Sequence, residues 1–382
     1  MTRCFVSAVM LALIGARVAA AEEDLAGQLK TLQKERVKVL AELVEIRAMQ
    51  YKVATHPCEF VAGAEADLAK AQLDATDNRE GRIAVLEESA KRFAELLKIA
   101  EARLEVGTAP EADVYRLRSL LLGAKVRLLR ERGANDRAAD EIKALQKERG
   151  KALTELVELS TPPYRLRTLA CEFLMGAEAD LVNAQLDATD KREGRIAVLE
   201  EGAKREAELL RTAEGKLKAG AVARAAVYCA RASYNDTKVR LLRERGPNAD
   251  AAAQIKAAQH EQVEALTQLV KLALEQYEKG TTEVDAVVSA ETALINAQVN
   301  AADTSEAKIL VLTNAAEKET DLVKITEAKF NAGAVGSAEI DRARSLLLDA
   351  KIRLLRERTL QKPVRKGVRN RLQAGNDEYN GS

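Results

Sequence analysis

The side chains able to do chemistry are few, and their spacing assembles no recognised reactive set. The chain has two histidines, His56 and His260, which excludes most imidazole-dependent catalysis. They do not occupy equivalent places in the repeats described below, so no repeated site can use both. Glu87-Glu88 and Glu200-Glu201 are adjacent acids. Neighbours on a helix point about 100° apart, so neither pair can share a substrate, and both read as solvated-face residues. The four cysteines, Cys4, Cys58, Cys171 and Cys229, offer no pair at metal spacing. The chain contains no Gly-x-Gly-x-x-Gly, phosphate loop or His-Glu-x-x-His. No catalytic residue, metal ligand or cofactor is therefore expected.

Elements that could position a site come next. Sixty Lys+Arg against 59 Asp+Glu leave a net charge of +1, so no excess cation is available to displace counterions from a nucleic acid. Aromatic residues are 3% of the chain and Trp is absent, too thin a supply of strand formers for a sheet. Ala, Leu, Glu, Lys and Arg dominate, the composition of long helices and coiled coils. The fold class expected is all-α.

The N-terminus reads as a secretory signal, residues 1–21. Arg3 precedes the apolar run Phe5 to Ile14, and Ala19-Ala20-Ala21 is a small-residue cleavage site. Export to the periplasm or cell envelope is the expectation. Cleavage would leave Cys58, Cys171 and Cys229, an odd number that argues for buried thiols over a disulfide framework.

The rest is three tandem copies of one unit. Arg79 to Glu88 recurs identically as Arg192 to Glu201, an offset of 113 residues. Lys125 to Arg132 (KVRLLRER) recurs as Lys238 to Arg245, and as KIRLLRER from Lys351 to Arg358. A gapless period implies equal helix lengths in each copy. The repeats span 22–133, 134–246 and 247–359, followed by a basic flexible tail, 360–382. Within a repeat, Ile83, Leu86, Ala90, Phe93, Leu97, Ala100 and Leu104 alternate steps of three and four, as a coiled-coil seam does. Val114, Leu117, Leu121, Ala124 and Leu128 continue it after Gly107 and Pro110. The spacing predicts three helices per unit, 28–53, 61–106 and 112–132, with the middle one running through Asp74 to Gly81. Glu206 in place of Phe93 should weaken the second seam. The expected architecture is an elongated antiparallel coiled-coil bundle of three helical-hairpin repeats.

The sharpest local signature is a helix end, two residues, Gly, a short turn, then an acid beside an aliphatic. It reads Leu104-Glu105-Val106-Gly107 then Asp113-Val114; Tyr277-Glu278-Lys279-Gly280 then Val284-Asp285; and Phe330-Asn331-Ala332-Gly333 then Glu339-Ile340. Gly220 is the counterpart in the second unit and lacks the acid. This signature resembles the helical hairpins of the outer-membrane efflux protein (TolC-like) family. The resemblance implies that the Gly turns are periplasmic tips that meet an adaptor, and that the helices line a duct. The departure is the barrel: no stretch of about ten alternating residues with aromatic girdles is present.

The turn and partner-contact candidates are thus Gly107, Asp113, Gly220, Gly280, Asp285, Gly333 and Glu339. Asp113 could instead cap the helix after its turn. The functional expectation is a non-enzymatic exported scaffold or interaction surface. It would bind a protein partner or itself through its hairpins, with envelope association and no small-molecule substrate. The alternative is a working component of an efflux conduit.

Overall fold

The computed structural model describes residues 2–133, 136–165, 171–220, 222–246 and 249–361. The basic tail therefore lies outside the described residues, apart from Leu360 and Gln361. Twelve α-helices are present among the described residues. The first repeat holds α1 (Thr2–Lys52), α2 (Cys58–Asp74), α3 (Arg79–Glu105) and α4 (Glu111–Arg132). The second holds α5 (Asp136–Arg165), α6 (Cys171–Asp187), α7 (Arg192–Lys218) and α8 (Arg224–Arg245). The third holds α9 (Ala249–Glu278), α10 (Val284–Ala301), α11 (Ser305–Asn331) and α12 (Ser337–Gln361). All-α tandem repetition is what the sequence predicts. Among the described residues, no helix is long and apolar enough to cross a membrane.

Each repeat has four helices, not three. The expected middle helix breaks at 75–78, and α3 returns antiparallel to α2. Two contacts fix that reversal. Arg92 of α3 meets Glu65 of α2 at 3.5 Å, while the start of α3 meets the end of α4 through Arg79 Nε donating to Glu131 O at 2.7 Å. Locally, Thr76 Oγ1 donates back to Gln72 O, and Asn78 Oδ1 accepts from Gly81 N as the cap of α3. The turn is tight: a Cβ on Gly81 would lie 2.5 Å from Thr76 Cγ2, and one on Gly194 would lie 2.6 Å from Thr189 Cγ2. The third repeat has Ala302 and Ala307 at these two places, so a small residue replaces Thr and a Cβ is admitted. Its cap is Thr304, which accepts from Ala307 N at 3.1 Å. The absence of Gly in that copy was a change of pair, not a continuous helix.

The joints between repeats are true breaks. Gly133 and Gly246 have φ of 91° and 89°, and a Cβ on either would strike the guanidinium of Arg79 or Arg192. Pro162 and Pro163 lie inside α5, which continues to Arg165, and not in the following turn.

The twice-repeated REGRIAVLEE and RLLRER segments are each other's partners. Arg82 meets Glu131 at 2.7 Å and Arg195 meets Glu244 at 3.0 Å. Glu87 pairs with Arg132, and Glu200 with Arg245. Glu131 is therefore held across the hairpin by Arg82, where the sequence predicts an intrahelical partner in Arg127. Glu87 is an ion-pair residue, not a merely solvated one. At the same end, Gln33, Gln146 and Gln259 each donate to the carbonyl 41 residues on, at the ends of α2, α6 and α10. These bonds satisfy helix-end carbonyls that otherwise lack partners.

The three repeats close on themselves. α12 packs antiparallel on α1 as α4 packs on α5 and α8 on α9. The register is the same at each joint. Gln262 donates to Asp236 at 3.1 Å in the second joint, and Arg36 pairs with Asp349 at 2.7 Å in the closing one. In the first joint Arg149 stands over Gly123, whose Cβ would lie 3.4 Å from its Nε. Likewise Arg243 reaches Asn300 O in the second joint and Arg356 reaches Asp74 O in the closing one.

Each repeat has its own core. In the first it is built from Tyr51, Cys58, Val61, Phe93, Leu96, Ala100, Val114 and Leu117. α12 also buries Ser345, Leu348 and Ile352, because it serves its own hairpin and the next repeat. Glu206 and Glu319 occupy the places of Phe93, both fully buried. Glu206 accepts from Ser233 at 2.7 Å. Glu319 faces Leu346 and Ala350 at the positions of Ser233 and Thr237, and both its oxygens lack a partner.

Leu86 is buried and Leu97 only partly so. Leu86→Asp is expected to cost several kcal/mol, since an unpaired charge would enter the core. Leu97→Asp should cost less. Thermal unfolding checks both, and an unchanged melting temperature for Leu86→Asp would refute the packing of α3.

Candidate functional site

Up-and-down alternation places the described turns α1–α2, α3–α4, α7–α8, α9–α10 and α11–α12 at one end of the ring, while the α5–α6 turn lies outside the described residues. The four predicted turn glycines are there. Gly107, Gly220, Gly280 and Gly333 have φ of 71°, 65°, 70° and 70°. Their geometry follows from helix termination. Gly107 N donates to Leu104 O at 2.9 Å and Thr108 N to Arg103 O at 2.8 Å, the paired bonds of a left-handed C-terminal cap. Gly333 and Ala334 repeat them, as do Gly280 and Thr281.

In the α1–α2 turn the glycine position is Ala54, with φ of 60° and the same pair of bonds to Tyr51 O and Gln50 O. An L side chain in that conformation costs about 1–2 kcal/mol. Ala54→Gly is therefore expected to stabilise the protein by about 1 kcal/mol. Gly107→Val should destabilise it by a similar amount through backbone strain alone, because nothing lies within 4 Å of a Cβ there. Denaturant titration of the two variants should give shifts of opposite sign.

The three predicted contact acids turn inward. Asp113 is 7% exposed and accepts from Tyr51 Oη at 3.4 Å. It does not cap α4, whose N-cap is Pro110 with no side-chain bond. Burial, with Glu59 nearby, pushes its carboxyl up to about 6, against the opposing pull of Arg103 and Arg116. Asp285 lies in the closing joint, paired with Arg47 at 2.5 Å and with Arg342 at 3.2 Å. Glu339 is half-buried beside Tyr277, and its carboxyl is raised by burial and then by Glu283.

A buried tyrosine anchors the turns of the first and third repeats. Arg103 donates to Tyr51 O and lies 4.7 Å from the Tyr51 ring centroid. Lys329 does the same at Tyr277, 3.9 Å from its ring centroid. Burial raises the Tyr51 hydroxyl and the Cys58 thiol, the reverse of what an activated nucleophile requires. Cys58 is a buried free thiol. Among the described residues, no group of three or more His, Cys, Asp or Glu is placed to hold a metal ion. His56 lies beside Phe60, edge to face at 5.9 Å, with its Nε2 3.9 Å from Glu283.

The turn end also exposes apolar side chains. Met49, Val53, Val106 and Phe330 are 66%, 65%, 71% and 42% exposed. They surround the turns of the first and third repeats.

The closing-joint charges were the residues that sequence reasoning missed. Arg36, Arg47 and Arg342 are buried or nearly so in ion pairs to other repeats. The signal available was confined to Arg47, which falls where the other repeats have Ser160 and Ala273; Arg36 and Arg342 have arginine counterparts in Arg149 and Arg116.

No protein-family model matches the chain, and no curated protein matches it. Among solved structures it is similar to a circular tandem repeat protein with novel repeat topology and enhanced subunit contact surfaces. That likeness is 14% identical, covers 87% of this chain and 77% of the other, and has a TM-score of 0.28. A match at that level says nothing about function.

Proposed function

We propose that this chain is a non-enzymatic, exported helical scaffold. Its closed ring holds the described turns at one end as a fixed contact face for another protein. The observation that carries this reading is the closing joint. α12 and α1 are paired in the same register as the internal joints, with a largely buried ion pair at Arg36–Asp349 and a partly exposed one at Arg342–Asp67. Among the described residues α1 and α12 already cover each other's edges, so those two faces are not available to build a conduit from several copies. The exposed Met49, Val53, Val106 and Phe330 give the turn end apolar anchors of the kind protein interfaces use. The raised Tyr51 and Cys58 groups favour a structural role for the buried cluster over a catalytic one.

Kinship to the efflux family's hairpins rests on the glycine-turn signature, and in this reading it is ancestry without the duct. Export rests on residues 1–21. Light scattering on residues 22–382 without detergent tests the scaffold against the conduit. A monomer is expected. A trimer, or a protein that needs detergent, would replace this reading with the conduit.

A further inference from the structure

The third hairpin departs from the other two at the end of the ring opposite the glycine turns. α4 and α8 end at Arg132 and Arg245, the counterparts of Arg358, whereas α12 continues to Gln361. Gln361 Nε2 donates to Glu306 Oε1 at 2.6 Å, which seats the last turn of α12 on the first turn of α11. Leu310 lies one turn beyond Glu306 on the same face of α11. Leu310 is 62% exposed and Leu360 is 76% exposed. The other repeats have Ala84 and Ala197 in place of the first, and Ala134 and Pro247 in place of the second.

The charges change in the same place. Arg132 and Arg245 hold Glu87 and Glu200 across their hairpins. The third repeat has Thr313 where those acids stand, and Asn314 where Glu88 and Glu201 stand. Arg358 itself is exposed. The chain after Gln361 lies outside the described residues, but its sequence continues in the same character. Arg358, Lys362, Arg365, Lys366, Arg369 and Arg371 fall in a run, 358–376, that contains no Asp or Glu. Leu360, Val364, Val368 and Leu372 recur among them at every fourth position. The net charge of the whole chain is +1, so this run is a local concentration of cations.

We propose that this corner of the ring, Leu310 and Leu360 together with the basic segment 362–371, docks on an anionic phospholipid surface. The negative potential of such a surface draws the cations, and aliphatic side chains set among them enter the headgroup boundary. A nucleic acid would engage the cations and leave the leucines and valines in water, whereas a lipid surface uses both. The site goes beyond the scaffold reading, because it lies at the other end of the ring. Docked there, the ring presents its turns away from the membrane, free for a protein partner.

Cosedimentation of residues 22–382 with vesicles of phosphatidylglycerol and phosphatidylcholine in equal parts tests this, with phosphatidylcholine alone as the control. Binding to the anionic vesicles is expected, at least tenfold weaker binding to the neutral ones, and a steep loss with added salt. Arg365→Glu with Lys366→Glu should weaken binding at least tenfold. Leu310→Ser with Leu360→Ser should weaken it several-fold at an unchanged melting temperature, since both side chains are exposed. Equal binding to the two kinds of vesicle, binding to neither, or undiminished binding of either variant would each overturn the proposal.

Discussion

Arg36→Asp is expected to open the ring. Arg36 and Asp349 are 7% and 14% exposed and lie 2.7 Å apart, so the variant would leave two acids facing each other in a dry joint. Breaking a buried pair by removing one partner costs about 3–5 kcal/mol, because the remaining charge stays buried and uncompensated. The melting temperature should fall by about 4–7 °C. The second consequence is more diagnostic. Once α12 leaves α1, each chain carries two complementary faces on opposite ends, and two chains can satisfy each other. Dimers and larger species should appear by light scattering and rise with concentration. Exchanging the charges, Arg36→Asp with Asp349→Arg, should restore both stability and the monomer. A single variant that melts like the parent and stays monomeric would show that this joint does not hold the ring. Arg342, which meets both Asp67 and Asp285, keeps the rest of the joint charged, so the opening will be partial at low protein concentration.

Glu319→Leu should stabilise the protein, and by more at high pH. Burial, with Glu291 nearby, raises the Glu319 carboxyl from 4.5 to about 8, while Lys318 opposes it weakly. The folded state then keeps a proton that the unfolded chain loses above pH 4.5. Where the folded state binds more protons, stability falls as pH rises. This contribution is fully retained below about pH 4.5 and lost progressively up to about pH 8, then levels off. The variant removes that slope. We expect a gain of roughly 2–4 kcal/mol at pH 9 and little change at pH 5. Glu206→Leu should gain less, since Ser233 already donates to that carboxylate. Chemical unfolding at pH 5, 7 and 9 measures both. A parent whose stability does not decline over that range, together with an unstabilised variant, would mean that Glu319 is hydrated.

The buried acids bear on why such a chain keeps its three repeats distinct. Identical repeats can join in any order, and the alternatives differ by nothing. Here the three joints meet different partners at one position: Arg149 over Gly123, Gln262 with Asp236, and Arg36 with Asp349. Among the described residues, the closing joint carries the most ion pairs between repeats. A wrong pairing of ends would strand Arg36, Arg47 or Arg342 without an acid, a penalty of several kcal/mol each.

The sequence by itself determined the all-α class, the 113-residue period and the glycine turns, because each of these is local. A left-handed cap needs a residue that tolerates it, and an amphipathic stripe is visible within a few turns of helix. The same local reading placed the Leu86 and Phe93 seam correctly, and it expected the charged KVRLLRER segment to pair within its own helix. Only the tertiary structure decided the rest. The reversal at 75–78 depends on whether Thr76 and Gly81 touch, which no periodicity records. Asp113, Asp285 and Glu339 look like surface acids beside a turn, yet packing from helices α1 and α12 turns them inward. Closure joins residues such as Arg342 and Asp67, 275 positions apart. A repeat pattern specifies how one unit meets the next, but it is silent on whether the last unit meets the first. That is settled by the summed rotation of three joints, and by the charged pairs that make the final contact.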